Sequence, residues 1–266
     1  MTKTHLSGVY ESTKKDGELY YRASLTYKRK HISLGSYQTE LQAHLAYVAA
    51  TIILKDNSTL TIEDYQPSSA LSFEKWVILI NFRDNGIYFG HPIYVRPKFF
   101  YYYLSPEHIL KFDSDDLFYY SSHKIMCRGN HYFVADYGMQ VNIISRYGIK
   151  NYAVLNVDYR FLNSDTTDFR RENLEILNTY HGVRTIRQKG KYRYAVRIHI
   201  RGYYRVGIYD DVTTAAIAYN KAVDVLHQNG LKKNFSMNYI DSVSPSQYAQ
   251  IYTDLKISPK ITNYHP

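Results

Sequence analysis

The chain predicts an α+β protein in which two small units, each a three-stranded sheet packed on one helix, flank a central unit of short strands. Three observations predict it. Residues His181 to Phe235 alternate apolar and polar along two strands and then change to helical spacing. Residues His5 to Asp56 carry an earlier copy of that pattern. Between the copies lie apolar and aromatic runs interrupted by Pro92 and Pro97. The boundaries read as 1–62, 63–178 and 179–237, with a tail at 238–266.

The N-terminal copy opens at Gly8-Val9. Leu34-Gly35-Ser36-Tyr37 and then Ala43, Ala46-Tyr47, Ala50 and Leu54 match the C-terminal copy at a constant offset of 172 residues. Thr39 and Gln42 form a capping-box pattern at the helix start. Lys28-Arg29-Lys30 puts three cations on a hairpin, which suits phosphate contact better than base reading. A repeat kept only for packing or pairing is the alternative. Asn57 to Phe73 is a polar connector, with the boundary at Gln66-Pro67-Ser68-Ser69.

The central unit begins with Val77 to Phe82, then Asp84-Asn85-Gly86, then Ile87-Tyr88-Phe89, which reads as a hairpin with a tight turn. Phe99 to Leu104 is an aromatic strand, Ser114 to Phe118 opens a short helix, and Tyr132 to Ala135 is a further strand.

In the C-terminal copy Tyr194, Val196, Ile198 and Ile200 point one way, and Ala195, Arg197, His199 and Arg201 the other. Gly202 reverses the chain. Tyr204 and Val206 return on the apolar face, with Tyr203 and Arg205 opposite. Asp211 is the expected N-cap of a helix that buries Ala215, Ala218, Tyr219, Ala222, Val223 and Leu226, and Asn229-Gly230 stops it. One sheet face is thus left uncovered and rich in arginine, a shape that fits a major groove. The tail shows only a short helix at Ser244 to Tyr252.

Charge concentrates on that face. The net charge is +9, and residues 179–235 hold eleven Lys and Arg against three Asp, a local +8. Residues 5–56 hold +2. Double-stranded DNA is the expected partner for such a patch. No stretch approaches the roughly 18 apolar residues of a membrane span, and no secretory leader pattern opens the chain, so no membrane partner is expected. Cys127 is the lone cysteine, which excludes an internal disulfide and fits a reducing, cytoplasmic setting alongside nucleic acid. The thirty tyrosines read as AT-rich coding bias.

Gly182-Val183-Arg184, Tyr194-Ala195-Val196-Arg197-Ile198, Gly207-Ile208-Tyr209, Ala215-Ala216-Ile217-Ala218-Tyr219-Asn220 and Asn234-Phe235, in that order, resemble the ethylene-response-factor (APETALA-type) DNA-binding domain. That family reads DNA from its sheet. The resemblance implies contacts from Arg184, Arg187, Arg193, Arg197, His199, Tyr203 and Arg205, and Arg201 joins them by alternation. In the N-terminal copy Tyr10, Ser24, Thr26, His31 and Ser33 stand where Arg184, Arg197, His199, Tyr203 and Arg205 stand in the other.

Asp168-Phe169-Arg170-Arg171-Glu172-Asn173-Leu174 resembles the closing signature of the HNH homing-endonuclease fold, a ββα core. Asn142-Ile143-Ile144 sits where that family has its first histidine motif, and Asp158-Tyr159 where it has Asp-His. Such a nuclease needs one histidine to deprotonate water and others to hold a divalent metal. A tyrosine with a pKa near 10 is a poor base at neutral pH. The resemblance therefore implies a retained fold with lost catalysis, no cofactor and no metal. Gly86-Ile87-Tyr88 spells half of another nuclease signature but reads as a turn. His123, Cys127 and His131 have zinc-like spacing, yet Arg128-Gly129-Asn130 argues for a turn between them.

Three functions follow. The first is a DNA-binding protein derived from an HNH homing endonuclease, a sequence-specific regulator of a phage or mobile element without nuclease activity. The second is an active metal-dependent endonuclease with a remodelled site. The third is an interaction or inhibitor protein that competes with nucleic acid for a macromolecular partner.

Overall fold

The computed structural model describes residues 5–150 and 153–266. It divides into two bodies: residues 1–143 with 165–173, and residues 144–164 with 174–266. The fold is mixed α and β, and every sheet is small and antiparallel. Among the described residues no helix is long and apolar enough to cross a membrane.

In the first body β1 (Val9–Thr13), β2 (Leu19–Tyr27) and β3 (Lys30–Tyr37) form a sheet in the order β1-β2-β3. Helix α1 (Glu40–Ile53) packs on it, started by the Thr39 hydroxyl accepting from Gln42 N at 3.2 Å. Helix α2 (Phe73–Asn85) follows. Its middle, Val77 to Phe82, corrects the expected strand, and Gly86 is its C-cap at φ 71° rather than a hairpin turn. A continuous apolar run has no periodicity to separate strand from helix. Trp76 to Phe82 are all buried, so the helix is apolar all round, and its caps decide. Ser72 accepts from Lys75 N at the start. Asn81, buried within it, donates to Ile87 O at 2.8 Å and accepts from Val95 N at 3.0 Å. Those bonds hold the following loop, so Ile87 to Phe89 is loop rather than strand.

The remaining elements of this body are β4 (Ile93–Val95), β5 (Phe99–Ser105), β6 (His108–Asp113), α3 (Leu117–Ser122), β7 (Met126–Arg128), β8 (His131–Asp136) and β9 (Met139–Asn142). They form the sheets β4-β5-β6 and β7-β8-β9. The N-terminal sheet, α1, α2 and Tyr103 share one core, which also takes in Ile62 and Leu71. The boundary expected at residue 62 therefore falls inside a continuous core. Trp76 Nε1 donates to Thr61 O, and Arg83 donates to Ile53 O and Leu60 O across the same junction.

The second body contains β10 (Tyr159–Phe161) paired with β11 (Leu174–Ile176). Next come β12 (Val183–Gln188), β13 (Lys191–His199) and β14 (Tyr203–Tyr209), and then α4 (Val212–Gln228). Asp211 caps α4, accepting from Thr214 N at 2.6 Å. The helix expected at Ser244 to Tyr252 is present, and a second short one follows it. Helices α5 (Pro245–Asp254) and α6 (Pro259–Thr262) pack on this repeat, and Leu255, Ile257, Ile261 and Tyr264 join its core.

The repeats agree beyond their element order. Ser24 pairs with Ser33 as Arg197 pairs with Arg205, and Thr26 pairs with His31 as His199 pairs with Tyr203. Both sheets carry one bulge, at Ala23/Ser24 and at Val196/Arg197. Both place a left-handed glycine under a tyrosine of the helix. A Cβ at Gly8 (φ 75°) would lie 2.0 Å from Tyr47, and one at Gly182 (φ 69°) 2.3 Å from Tyr219 and 2.4 Å from Arg197 O.

Gly182→Ala is therefore expected to lower stability by about 3 kcal/mol, from left-handed strain plus the clash. Gly190→Ala, also left-handed but open to solvent, should cost about 1 kcal/mol. Urea unfolding of the full chain measures both, and equal losses would show that the tyrosine contact constrains nothing.

Candidate nucleic-acid interface

Cross-strand partners share a sheet face, so the register assigns each side chain. On the face packed against α4 lie Val183, Val196, Ile198, Tyr204 and Val206. On the open face Arg184 lies beside Ala195 and Ile208, Arg197 opposite Arg205, and His199 opposite Tyr203. The last two rings meet edge to face at 5.0 Å.

Not one Asp or Glu occurs in β12, β13 or β14. Arg197 and Arg205 are direct cross-strand partners of like charge, an arrangement that destabilises a sheet unless an anion intervenes. Among the described residues no carboxylate pairs with Arg184, Arg197 or Arg205. Arg193 is different: its Nε donates to Asp210 at 2.6 Å, so its charge is already matched. Arg187 pairs with Tyr192 and so alternates onto the face opposite Arg184, which takes it out of the expected reading face. Arg201 sits in the reversal between β13 and β14, at the sheet's end.

A cleft of about 510 Å³ opens at the edge of this face. Arg184, Arg197, His199 and Tyr203 line it, together with Lys150, Asp158, His181 and Lys233. Burial lowers the Lys150 ammonium to about 8 against the opposing pull of Asp158. Burial also lowers His181, with the Lys150 charge adding to the effect. Lys233 donates to His199 O at 2.9 Å and Ile200 O at 3.0 Å, which ties the segment after α4 to the end of β13. Neither lysine stands out in sequence, because both lie outside the alternating strands.

The N-terminal repeat presents Tyr10, Ser24, Thr26 and His31 around a cleft of about 440 Å³ whose lining holds one lysine, Lys55, and no arginine. Its cations sit at the β2–β3 hairpin instead. Lys28 (φ 44°) and Arg29 (φ 65°) occupy both left-handed positions of a two-residue turn, where Asn and Gly are the favoured residues. Lys28 lies over the Tyr27 ring at 5.2 Å and Lys30 over Tyr88 at 5.1 Å.

The positions that the HNH resemblance gives as degenerate, Asn142, Asp158 and Tyr159, are tied into the fold. Asp158 accepts from Val154 N at 2.8 Å and closes its own loop. Tyr159 lies in β10 opposite Ile176, and burial pushes its phenol up, further from a working base. Asn142 ends β9 opposite Phe133. Asp168 is only 2% exposed, and Lys111 and Arg170 hold it. Burial alone would raise its carboxyl, but the hydrogen bonds and charge of Arg170 outweigh that and lower it. Asn173, also buried, donates to Asp168 O at 2.8 Å. Cys127 and His131 fall on the β7–β8 hairpin, and His123 stacks on Tyr119 at 4.2 Å. Among the described residues no group of three His, Cys, Asp or Glu could hold a metal ion.

Comparison with protein-family models, with curated proteins and with solved structures finds no match to this chain.

Because its folded pKa is lowered, Asp168 contributes stability above the unfolded carboxyl value of about 3.9 and loses it as pH falls through the depressed folded value. Asp168→Asn should cost about 3 kcal/mol at neutral pH, because it removes the buried carboxylate shared by Arg170 and Lys111 and leaves Arg170 only the exposed Glu172. It should also flatten the acid limb of a stability-versus-pH curve. An unchanged acid limb would mean that Asp168 is not the group titrating there.

Proposed function

We propose that this chain is a sequence-specific double-stranded DNA-binding protein whose C-terminal repeat reads bases from its open sheet face. The observation that carries the reading is the Arg197–Arg205 pair on a sheet without carboxylates, flanked by Arg184, His199 and Tyr203. Two guanidiniums side by side are unfavourable in the free protein and become favourable when each takes guanine O6 and N7. The resemblance of this repeat to the ethylene-response-factor domain supports the same face. The N-terminal repeat adds phosphate contacts from Lys28, Arg29 and Lys30. The HNH-like segment is a remnant without nuclease activity, and the chain acts as a regulator of a phage or mobile element. Asp158, Asp168 and Asn173 support that part of the reading, because each is engaged in holding its own loop.

The test begins with selection of a site from random duplexes by the full-length protein, followed by titration of variants. Arg197→Ala and Arg205→Ala should each lose about 1–3 kcal/mol of discrimination at one or two base pairs. Uniform loss across all sequences would make the face an electrostatic clamp. Binding to a protein partner that these variants abolish, with no DNA binding by the parent chain, would favour the interaction-protein reading.

The Lys28-Arg29 turn separates stability from binding. Lys28→Asn with Arg29→Gly should raise folding stability by about 1 kcal/mol, because both positions are left-handed. The same change should weaken DNA binding evenly and lower the salt slope by about 0.9 for each phosphate that is no longer neutralised. A plasmid carrying the selected site should stay intact with Mg²⁺ or Mn²⁺. Nicking that Asp158→Ala removes would reinstate the nuclease reading.

A further inference from the structure

Helix α1 is apolar on two sides. Ala43, Ala46, Ala50 and Ile53 are buried against its own sheet. On the outer side Leu41, Leu45, Val48 and Ile52 are 60%, 49%, 36% and 44% exposed. Their spacing of four, three and four residues is a heptad seam, which runs about 16 Å along the helix. Gln42, His44, Ala49 and Thr51 flank the seam, and no Asp, Glu, Lys or Arg occurs between Glu40 and Lys55. An uncharged outer face of this length is anomalous on a chain with 21% charged residues.

The internal duplication shows what this face does in the fold. At the offset of 172 the four seam positions correspond to Thr213, Ile217, Asn220 and Asp224 of α4. There the tail covers the face. Thr213 meets Ser242, Asn220 donates to Asn238 O and Tyr248, and Asp224 accepts from Tyr252, while Ile217 is completely buried. Within its own body the described residues provide no such cover for α1, and its seam is apolar where that of α4 is mostly polar. Its partner must therefore bring an apolar helical stripe. Among the described residues α1 is itself the one helix that exposes such a stripe.

We propose that α1 pairs with α1 of a second copy of this chain, antiparallel about a two-fold axis lying between Leu45 and Val48. The axis sets Leu41 of one copy against Ile52 of the other, and Leu45 against Val48, so the seam is complementary to itself. Small Ala49 and Thr51 beside the seam let the helices approach to the usual 8–10 Å. The pairing does not depend on the proposed DNA reading. Being apolar, it is insensitive to salt, whereas phosphate contacts weaken as salt rises.

Sedimentation equilibrium of the full-length chain over a wide concentration range tests this. A monomer–dimer equilibrium that persists in high salt is expected. Leu45→Glu with Val48→Glu should weaken it at least about a hundredfold. Leu41→Gln with Ile52→Gln should weaken it without introducing charge. Both pairs are exposed, so thermal melting should confirm that the variants stay folded. In a Cys127→Ser background, Leu45→Cys protein mixed with Val48→Cys protein should form a disulfide-linked dimer faster than Leu45→Cys protein alone. A monomer at every concentration would overturn the proposal. So would a dimer that both variants leave intact, or cross-linking that favours Leu45→Cys with itself.

Discussion

The contact between Gly182 and Tyr219, matched by Gly8 and Tyr47, sets the geometry of both repeats. The glycine backbone lies where no Cβ can fit, so the tyrosine ring of the helix rests on the first strand. The same glycine carbonyl accepts from Arg197 N at 2.8 Å, and Gly8 O accepts from Ser24 N at 3.1 Å. Those bonds fall at the bulge of each sheet. A bulge adds one residue and restores the alternation on its far side. In the C-terminal repeat the extra residue is Val206 of β14, which enters the core beside Val196, so that Arg205 falls across from Arg197 on the outer face. A slip of one residue would exchange the two sets. The packing of a tyrosine on a glycine thus determines where guanidinium groups appear some distance away on the sheet.

The open face is costly to the free protein. Like charges sit opposite each other with no carboxylate in the three strands, and Asp210, just past β14, pairs with Arg193 instead. The hairpin of the other repeat shows the same preference at the level of the backbone, with Lys28 and Arg29 held left-handed where smaller residues are more stable. Two unrelated forms of strain, electrostatic and conformational, occur where cations are presented to solvent. Strain of this kind is found where a surface is shaped for a ligand more than for stability.

Much of this was legible in the sequence, and the failures have definite causes. The duplication was legible because core residues recur at one offset and because Thr39 and Asp211 have the chemistry of caps. Strand alternation put Arg197, His199, Tyr203 and Arg205 on one face, and the resemblance added Arg184. Arg187 entered by the resemblance alone, and it lies three residues from Arg184, so alternation within β12 sends the two to opposite faces. Helix α2 was unreadable since burial on every side erases periodicity. A polar connector suggests a boundary at residue 62, but Ile62 and Leu71 within it are buried in a shared core. The short helix expected at Ser244 to Tyr252 is α5, but the docking of the tail was not legible, because it is anchored by single residues, Ile261 in the core and Asn238 on Asn220, instead of by a repeating stripe.

The two repeats are not exchangeable, and the reason lies outside their common frame. Residues under the tyrosine lock are held to one pattern by packing, so the repeats diverge on the open sheet face, on the outer helix face and at the hairpin between the second and third strands. In the C-terminal repeat the outer face is held by directional bonds. Asn220 both donates to Asn238 O and accepts from Asn238 N, and Asp224 accepts from the Tyr252 hydroxyl. Leucine at either position would orphan buried groups of the tail, at about 1–3 kcal/mol each. Among the described residues the N-terminal repeat has no such tail to satisfy, and its corresponding positions are aliphatic. One frame thus carries charge on the sheet and a polar seat on the helix in one copy, and a neutral sheet with an apolar helix face in the other. A duplicated fold divides its surfaces in this way when the core fixes where side chains point but not what they are.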